Sequence, residues 1–325
     1  MSDSEVAFEV VADVVADVVA DVVGGVPASV RQPFLKAFRD LVGGLAAVPA
    51  AKLNQYVQSI NDDTAARTQT ARALTKASIE ELAKNPEILQ LAIETYLPSS
   101  IRKARNRVSV AYSAAKHLSS AVDGTSGEGA APPKDDWLNS FMRFAEDASS
   151  EQLQDLFGRI LAGEIVRPGA FGLVTLRTLS ELDQQVADDF AQAWAESVGG
   201  SVDYSLYWQR GDGFTRWKRL AEAGLMSTNE SYQYLPTFNK IFNELALWTP
   251  VSVDGSHLLI YFQESSKSRW THVDFTRVGR ELGSILPKPN YNENFRKIAS
   301  ALPKDGLVKI ELWSEGEQEV IWQSS

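Results

Sequence analysis

The sequence predicts a mainly α protein, with multi-helical N-terminal and central modules and a C-terminal α+β part. Three observations carry that reading. Apolar residues recur at helical spacing between helix-capping and turn signals from Asp135 to Phe190. A four-residue Val/acid repeat fills residues 9–23. Strand-like runs and a dense set of aromatics are confined to the chain after residue 200. The expected organisation is a helical region over 1–122, a linker over 123–134, a central helical module over 135–200 and an aromatic-rich α+β region over 201–325.

The central module has the clearest pattern. Trp137, Phe141, Phe144 and Ala148 give a first helix one apolar face, while Asp136, Arg143 and Asp147 look outward. Ser149, with Gln152 three residues on, reads as a capping box that stops this helix and starts the next. Leu153, Leu156, Phe157, Ile160 and Leu161 make a second stripe, which Gly163 is expected to end. Arg167-Pro168-Gly169 is a turn, because proline fixes φ and glycine permits positive φ. A third helix is expected from about Leu173. Ser180 and Asp183 then repeat the capping signature ahead of a fourth helix, Gln184 to about Val198.

In the N-terminal region the repeat EVVADVVADVVADVV places Glu9, Asp13, Asp17 and Asp21 at successive four-residue steps. On a helix of about 3.6 residues per turn, the acids form a slowly winding stripe beside a broad valine surface. Valine also favours strands, so that reading stays open, although a strand would give no clean alternation. An acid at every turn makes an isolated membrane span expensive. The expectation is a helix packed on its own protein or on copies of itself, the sharper alternative being an assembly with valines toward lipid. Gly24-Gly25 and Pro27 break it. Phe34, Leu35, Phe38, Leu41, Val42 and Leu45 form the next stripe, and Leu53, Tyr56, Val57 and Ile60 resume it after Pro49. Residues 61–98 read as polar helix restarting at Asn85-Pro86, and Ile101–Ser120 as another helix. The latter carries Arg102, Lys103, Arg105 and Arg107, the strongest local positive charge and a candidate anion or phosphate contact, against the blander reading of a solvated face. DGTSGEGAAPPK follows, with the composition of a flexible linker.

In the C-terminal region, Phe214–Ala223 reads as a helix ended by Gly224, His257–Phe262 as a strand with Arg269–Phe275 as its partner, and Thr276–Leu286 as a helix with a threonine cap. Helix, hairpin and helix in that order resemble a winged helix-turn-helix, interrupted by a long aromatic insertion between Ser227 and Asp254. Arg216, Lys218 and Arg219 are the candidate contacts of this wing-like region. A closing β-hairpin is expected around Ser314-Glu-Gly-Glu.

The run DDWLNSFMRFAEDASSEQLQDLFGRILAGEIVRPGAFGLVTLRTLSELD resembles the hallmark segment of a bacterial family of uncharacterised proteins, domain-of-unknown-function family 2806. VPASVRQPFLKAFRDLVGGLAAVPAAKLNQYVQSI near the start and FTRVGRELGSIL near the end agree with it. The resemblance implies no catalytic residue. The central segment is also similar to the helical part of the Abi-alpha proteins, which implies a link to abortive infection by phage.

A formal net charge of -10 argues against general affinity for nucleic acid, which needs concentrated Lys and Arg. No cysteine is present, so disulfides, thiol catalysis and thiolate zinc sites are excluded. MSDSEVAFEV lacks the features of a secretory signal, so a cytoplasmic protein is expected, with a peripheral contact to the inner membrane as an option. His117, His257 and His272 have no metal-ligand spacing, and no phosphate loop or nucleophile elbow occurs. No cofactor or metal is expected. The function expected from these patterns is non-enzymatic: self-association and protein or membrane contact in defence against phage. A nucleic-acid-binding regulatory module using the wing-like region, and a cryptic nuclease or hydrolase, are the alternatives.

Overall fold

The computed structural model describes residues 25–42, 86–120, 131–241 and 243–324. The Val/acid repeat with Glu9, Asp13, Asp17 and Asp21, the stripe from Leu45 to Ile60, residues 61–85 and linker residues 123–130 lie outside the described residues. The chain divides into two compact units, Met1–Leu173 and Val174–Ser325.

The first unit is helical. Its described helices are α1 (Ala28–Val42), α2 (Pro86–Ser120), α3 (Asp135–Ala145) and α4 (Glu151–Val166). The second half of α2 was expected as a separate helix, but Pro86 opens a single helix of 35 residues; proline at the first position sacrifices no helical hydrogen bond. The apolar stripes meet in one core of Phe34, Phe38 and Leu41 from α1, Val110, Ala114 and Leu118 from α2, Phe141 from α3, and Phe157, Ile160 and Ile165 from α4. Trp137 stacks on Phe141 at 5.0 Å, and Phe141 meets Phe157 edge-on at 5.7 Å, the geometries that aromatic quadrupoles favour. Gly158 lets α2 and α4 touch, since a Cβ there would lie 2.3 Å from Ser113 Oγ.

The cap that opens α4 lies one residue from where the sequence placed it. Ser150, not Ser149, accepts from the Leu153 amide at 3.2 Å to start α4. Gly163 does not end that helix, which runs on to Val166; its missing side chain makes room for the Phe171 ring, 2.7 Å from where a Cβ would stand. The buried Glu164 carboxylate then accepts from the amides of Gly169 at 2.6 Å and Phe171 at 3.1 Å, and the Trp137 indole donates to the Phe171 carbonyl at 2.7 Å. The Arg-Pro-Gly turn is thereby fastened to two helices, and the buried backbone amide and carbonyl of Phe171 gain partners.

The second unit overturns the mainly α expectation. After α5 (Leu173–Glu181) and α6 (Gln184–Ala195, capped by Asp183 on the Val186 amide at 2.8 Å), it contains two antiparallel sheets. One has three strands in the order β1 (Ser201–Asp203), β6 (Arg269–Asp274), β2 (Ser231–Tyr234), with α7 (Leu206–Gln209) and α8 (Gly211–Glu222) between β1 and β2 in sequence. The other has five: β3 (Ala246–Trp248), β5 (Ser256–Phe262), β7 (Leu307–Ser314) and β8 (Glu317–Gln323) in order, with β4 (Ser252–Val253) beside β5. α9 (Arg277–Gly283) is capped by Thr276 on the Gly279 amide at 3.1 Å, and α10 (Tyr291–Ala301) packs on β5 and β7.

The expected pairing of residues 257–262 with 269–275 does not form, and the wing-like reading built on that hairpin falls with it. β5 pairs with β7, some fifty residues later, and β6 inserts between β1 and β2. The physical reason is burial: Leu258, Ile260 and Phe262 alternate into a core with Ile310, Leu312 and Phe295 that a local hairpin would leave open. β1 to β4 are two to four residues long, too short for alternation to be legible in sequence. The closing hairpin does form, and Glu315 (φ 55°) and Gly316 (φ 83°) supply the two left-handed positions its tight turn needs.

Candidate functional site

The helical unit scatters its predicted cation cluster. On α2, Lys103 is bound to Glu146 at 2.7 Å and lies 3.7 Å from Asp147, Arg102 and Arg105 are exposed, and Arg107 is half-buried with its Nε enclosed and without a hydrogen-bond acceptor. Of the four, Lys103 is engaged by acids of the protein itself. The same helix presents Ser113 and His117, four residues apart, to Asp155 and Arg159 on α4. Ser113 Oγ donates to Asp155 Oδ1 at 2.9 Å, His117 Nε2 meets the same oxygen at 2.7 Å, and Arg159 Nε donates to Oδ2 at 2.9 Å. Burial pushes the Asp155 carboxyl up, but these three hydrogen bonds outweigh it and hold the group at about 2. Serine and histidine both reach the carboxylate, so the histidine is not placed between acid and hydroxyl as nucleophilic catalysis requires.

In the second unit, the three-stranded sheet has two unlike faces. Directly paired strand residues share a face, so Trp270, His272 and Asp274 on β6 lie with Asp203 and Ser201 on β1 and with Ser231 and Gln233 on β2. Asp274 accepts from Ser201 Oγ at 2.6 Å and Ser231 Oγ at 2.8 Å and sits 3.3 Å from His272 Nε2. Asp203, largely buried, accepts only the Trp270 indole at 2.9 Å in this network; desolvation raises its pKa to about 6 against that bond. Desolvation also lowers the pKa of His272, which stacks on Trp270 at 4.3 Å, while Asp274 opposes the shift. His257, on β5, belongs to the other sheet and stacks on Trp313. Among the described residues no group of three His, Asp or Glu is placed to hold a metal ion.

The opposite face buries Val202 and Val273 and carries exposed aromatics at its β2 edge. Tyr232 and Tyr234, on edge strand β2, are 42% and 63% exposed, with ring centroids 6.3 Å apart and tilted by 30°. The Arg269 guanidinium lies 4.5 Å from the Tyr232 ring centre, and the Tyr232 hydroxyl donates to Glu230 at 3.0 Å. That hydroxyl and a backbone amide hold the Glu230 carboxyl below its ordinary range. Glu230 also acts electrostatically on Tyr204, whose ring meets Trp217 of α8 at 5.5 Å. Trp217 contacts Phe214 at 5.9 Å, and Lys218 Nζ lies 5.6 Å from both rings. The exposed rings thus lie at two ends, Phe214 on α8 and Tyr232 with Tyr234 at the sheet edge, joined through the half-buried Tyr204 and the buried Trp217, with two cations resting on rings and one carboxylate near the tyrosine pair.

The predicted contacts Arg216, Lys218 and Arg219 split accordingly. Arg216 and Arg219 bind the buried Asp189 of α6 at 3.0 and 3.2 Å, and Arg216 also donates to the Tyr207 hydroxyl at 2.5 Å. Only Lys218 of the three rests on these rings. Sequence reading missed both Asp-centred clusters; the alternation of Trp270, His272 and Asp274 was the one available signal for the second.

Residues 99–211 match the model of a family described as a protein of unknown function (DUF2806). That stretch holds the Asp155 cluster, the Glu164 fastening, Asp203 and Tyr204, and ends before β2 and β6. No curated protein and no solved structure matches the chain.

Proposed function

We propose that this protein is non-enzymatic and acts by contact with other proteins and with copies of itself. The observation that carries the reading is the set of exposed aromatics, Tyr232 with Tyr234 at the β2 edge and Phe214 on α8. Exposed aromatics packed side by side and rimmed by charge are the composition of recognition surfaces, because they bury large area at small entropic cost. The polar clusters favour the same reading, since Asp155 and Asp274 are engaged by the protein's own serines and histidines, Asp155 also by Arg159, and Asp203 by the Trp270 indole. Self-association through the Val/acid repeat rests on sequence alone, as does the role in defence against phage, which comes from the likeness to Abi-alpha proteins. No described helix is long and apolar enough to cross a membrane.

The test uses the full chain, a chain lacking residues 1–30 and the double variant Tyr232→Ala/Tyr234→Ala. Light scattering with and without anionic liposomes, and plaque counts on bacteria expressing each protein, give the readouts. The expected result is an oligomer that shrinks on deletion, and plaque counts that rise at least about tenfold for both variants, each folded by circular dichroism. Protection unchanged in both variants, with a monomer throughout, rejects the proposal.

A nucleic-acid role through the region after residue 200 is disfavoured by a specific observation. Arg216 and Arg219 are both held by the one buried carboxylate of Asp189, which offsets one of their two charges and orients both guanidinium groups inward, whereas phosphate binding needs uncompensated cations turned to the ligand.

A further inference from the structure

We infer that the exposed face of α2 seats the Val/acid repeat of residues 9–23 of the same chain, an inference that goes beyond the contact reading above and stands without it. Charge names the occupant. Residues 95–120 contain five Lys and Arg and no Asp or Glu, whereas residues 1–30 contain six Asp and Glu and no Lys or Arg. On the inner side of α2, Lys103 is met by Glu146 and His117 by Asp155. On the outer side Arg102, Arg105, Tyr112 and Lys116 follow at helical spacing along one face, and all four are exposed. Among the described residues no ion pair engages Arg102, Arg105 or Lys116.

The connection to α1 fixes where the repeat can go. A Cβ on Gly25 would stand 3.4 Å from Ser119 Cβ, and Arg31 donates to the Val26 carbonyl at 2.9 and 3.1 Å, so the chain enters α1 at the Lys116 end of the stripe. Gly24-Gly25 and Pro27 leave a short connection, and helices joined in that way lie side by side and antiparallel. At about 1.5 Å per residue, the helix expected for the repeat spreads its acids over about 18 Å from Asp21 back to Glu9, against about 21 Å from Lys116 back to Arg102. Asp21 then falls beside Lys116, and Glu9 beside Arg105 and Arg102. The acids wind by about 40° per step, so Glu9 and Asp21 lie on opposite flanks of the contact, within reach of long cationic side chains. Val14 and Val18, each three residues before an acid, come against Tyr112, which is 48% exposed between the cations. Exposed ion pairs are individually weak, and the short connection supplies the effective concentration that a free peptide would lack.

The chain has no cysteine, so introduced pairs are read without background. Full-length Asp21→Cys/Lys116→Cys and Glu9→Cys/Arg105→Cys, with Glu9→Cys/Lys116→Cys as the mismatched control, are treated with a short bismaleimide and resolved by denaturing gel and peptide mapping. Both matched pairs should bridge within one chain, at least about fivefold faster than the control. Bridging of Asp21→Cys/Lys116→Cys should slow at least about fivefold in about 1 M NaCl or with Arg102→Glu/Arg105→Glu added. Adding Glu9→Arg/Asp13→Arg to that reversed protein should restore the rate, which loss of folding would not allow. Equal rates for matched and mismatched pairs, no bridging, or rates that ignore salt and charge reversal would overturn the inference. Bridging between chains would give the stripe to a second copy, and phosphatidylglycerol vesicles that bind the full chain and slow the matched pairs would give it to a lipid headgroup; either result overturns it as well.

Discussion

Asp155 in the helical unit and Asp203 in the sheet unit are the same side chain in opposite electrostatic states. Asp155 stands between two helices with hydrogen bonds from Ser113, His117 and Arg159, and these carry its pKa down to about 2 in spite of desolvation. Asp203 is more enclosed and has the single neutral donor of Trp270, so desolvation prevails and its pKa rises to about 6. Donor number and donor charge, not burial alone, decide the direction. The lesson for function is that the helical unit uses its acid as a clasp, whereas the sheet unit tolerates an acid that costs stability at neutral pH.

The largest effect should come from removing that cost. A raised folded-state pKa means that Asp203 favours the native state below the ordinary carboxylate range and that this contribution is lost as pH rises through about 6. Asp203→Asn keeps an acceptor for the Trp270 indole and has no charge to desolvate. Urea unfolding should show little difference from the wild type near pH 4 and a gain of about 2–3 kcal/mol near pH 7. A constant difference across that range would break the comparison, because the penalty would then not be the charge.

A smaller effect of opposite sign is expected at the clasp. A depressed pKa contributes stability that is present above the unfolded value and lost as pH falls through about 2. The Asp155 side chain is 39% exposed, so solvent screening leaves Asp155→Asn a loss of about 1 kcal/mol at pH 7, read by urea unfolding and shrinking at low pH. Smallest of the three, Ser113→Ala removes one neutral donor and should cost about 0.5–1 kcal/mol. The Asp155 carboxyl should titrate upward in an NMR experiment while His117 and Arg159 still hold it below the usual range. A titration identical to the wild type would assign the whole shift to the two cationic partners.

The resemblance over residues 99–211 begins on α2 and ends at the start of α8, so it takes in the clasp and Asp203 but stops short of Tyr232, Tyr234 and Arg269. The stretch that can be recognised by wording is therefore mostly the part that fastens helices together. Tyr232 and Tyr234, which carry the surface proposed for partners, lie beyond the matched stretch.

By itself, the sequence determined the local elements whose signals repeat within a few residues. The α3 and α4 stripes, the Thr276 cap, the Arg-Pro-Gly turn and the Glu315-Gly316 hairpin are legible because periodicity and backbone chemistry act over short spans, whereas of the Ser180/Asp183 signature it is Asp183 that caps and Ser180 that lies inside α5. Only the tertiary structure decided that β5 joins β7, that β6 enters between β1 and β2, and that Arg216 and Arg219 turn to Asp189. Those outcomes depend on which distant surfaces bury each other most completely, and no window along the chain contains both partners.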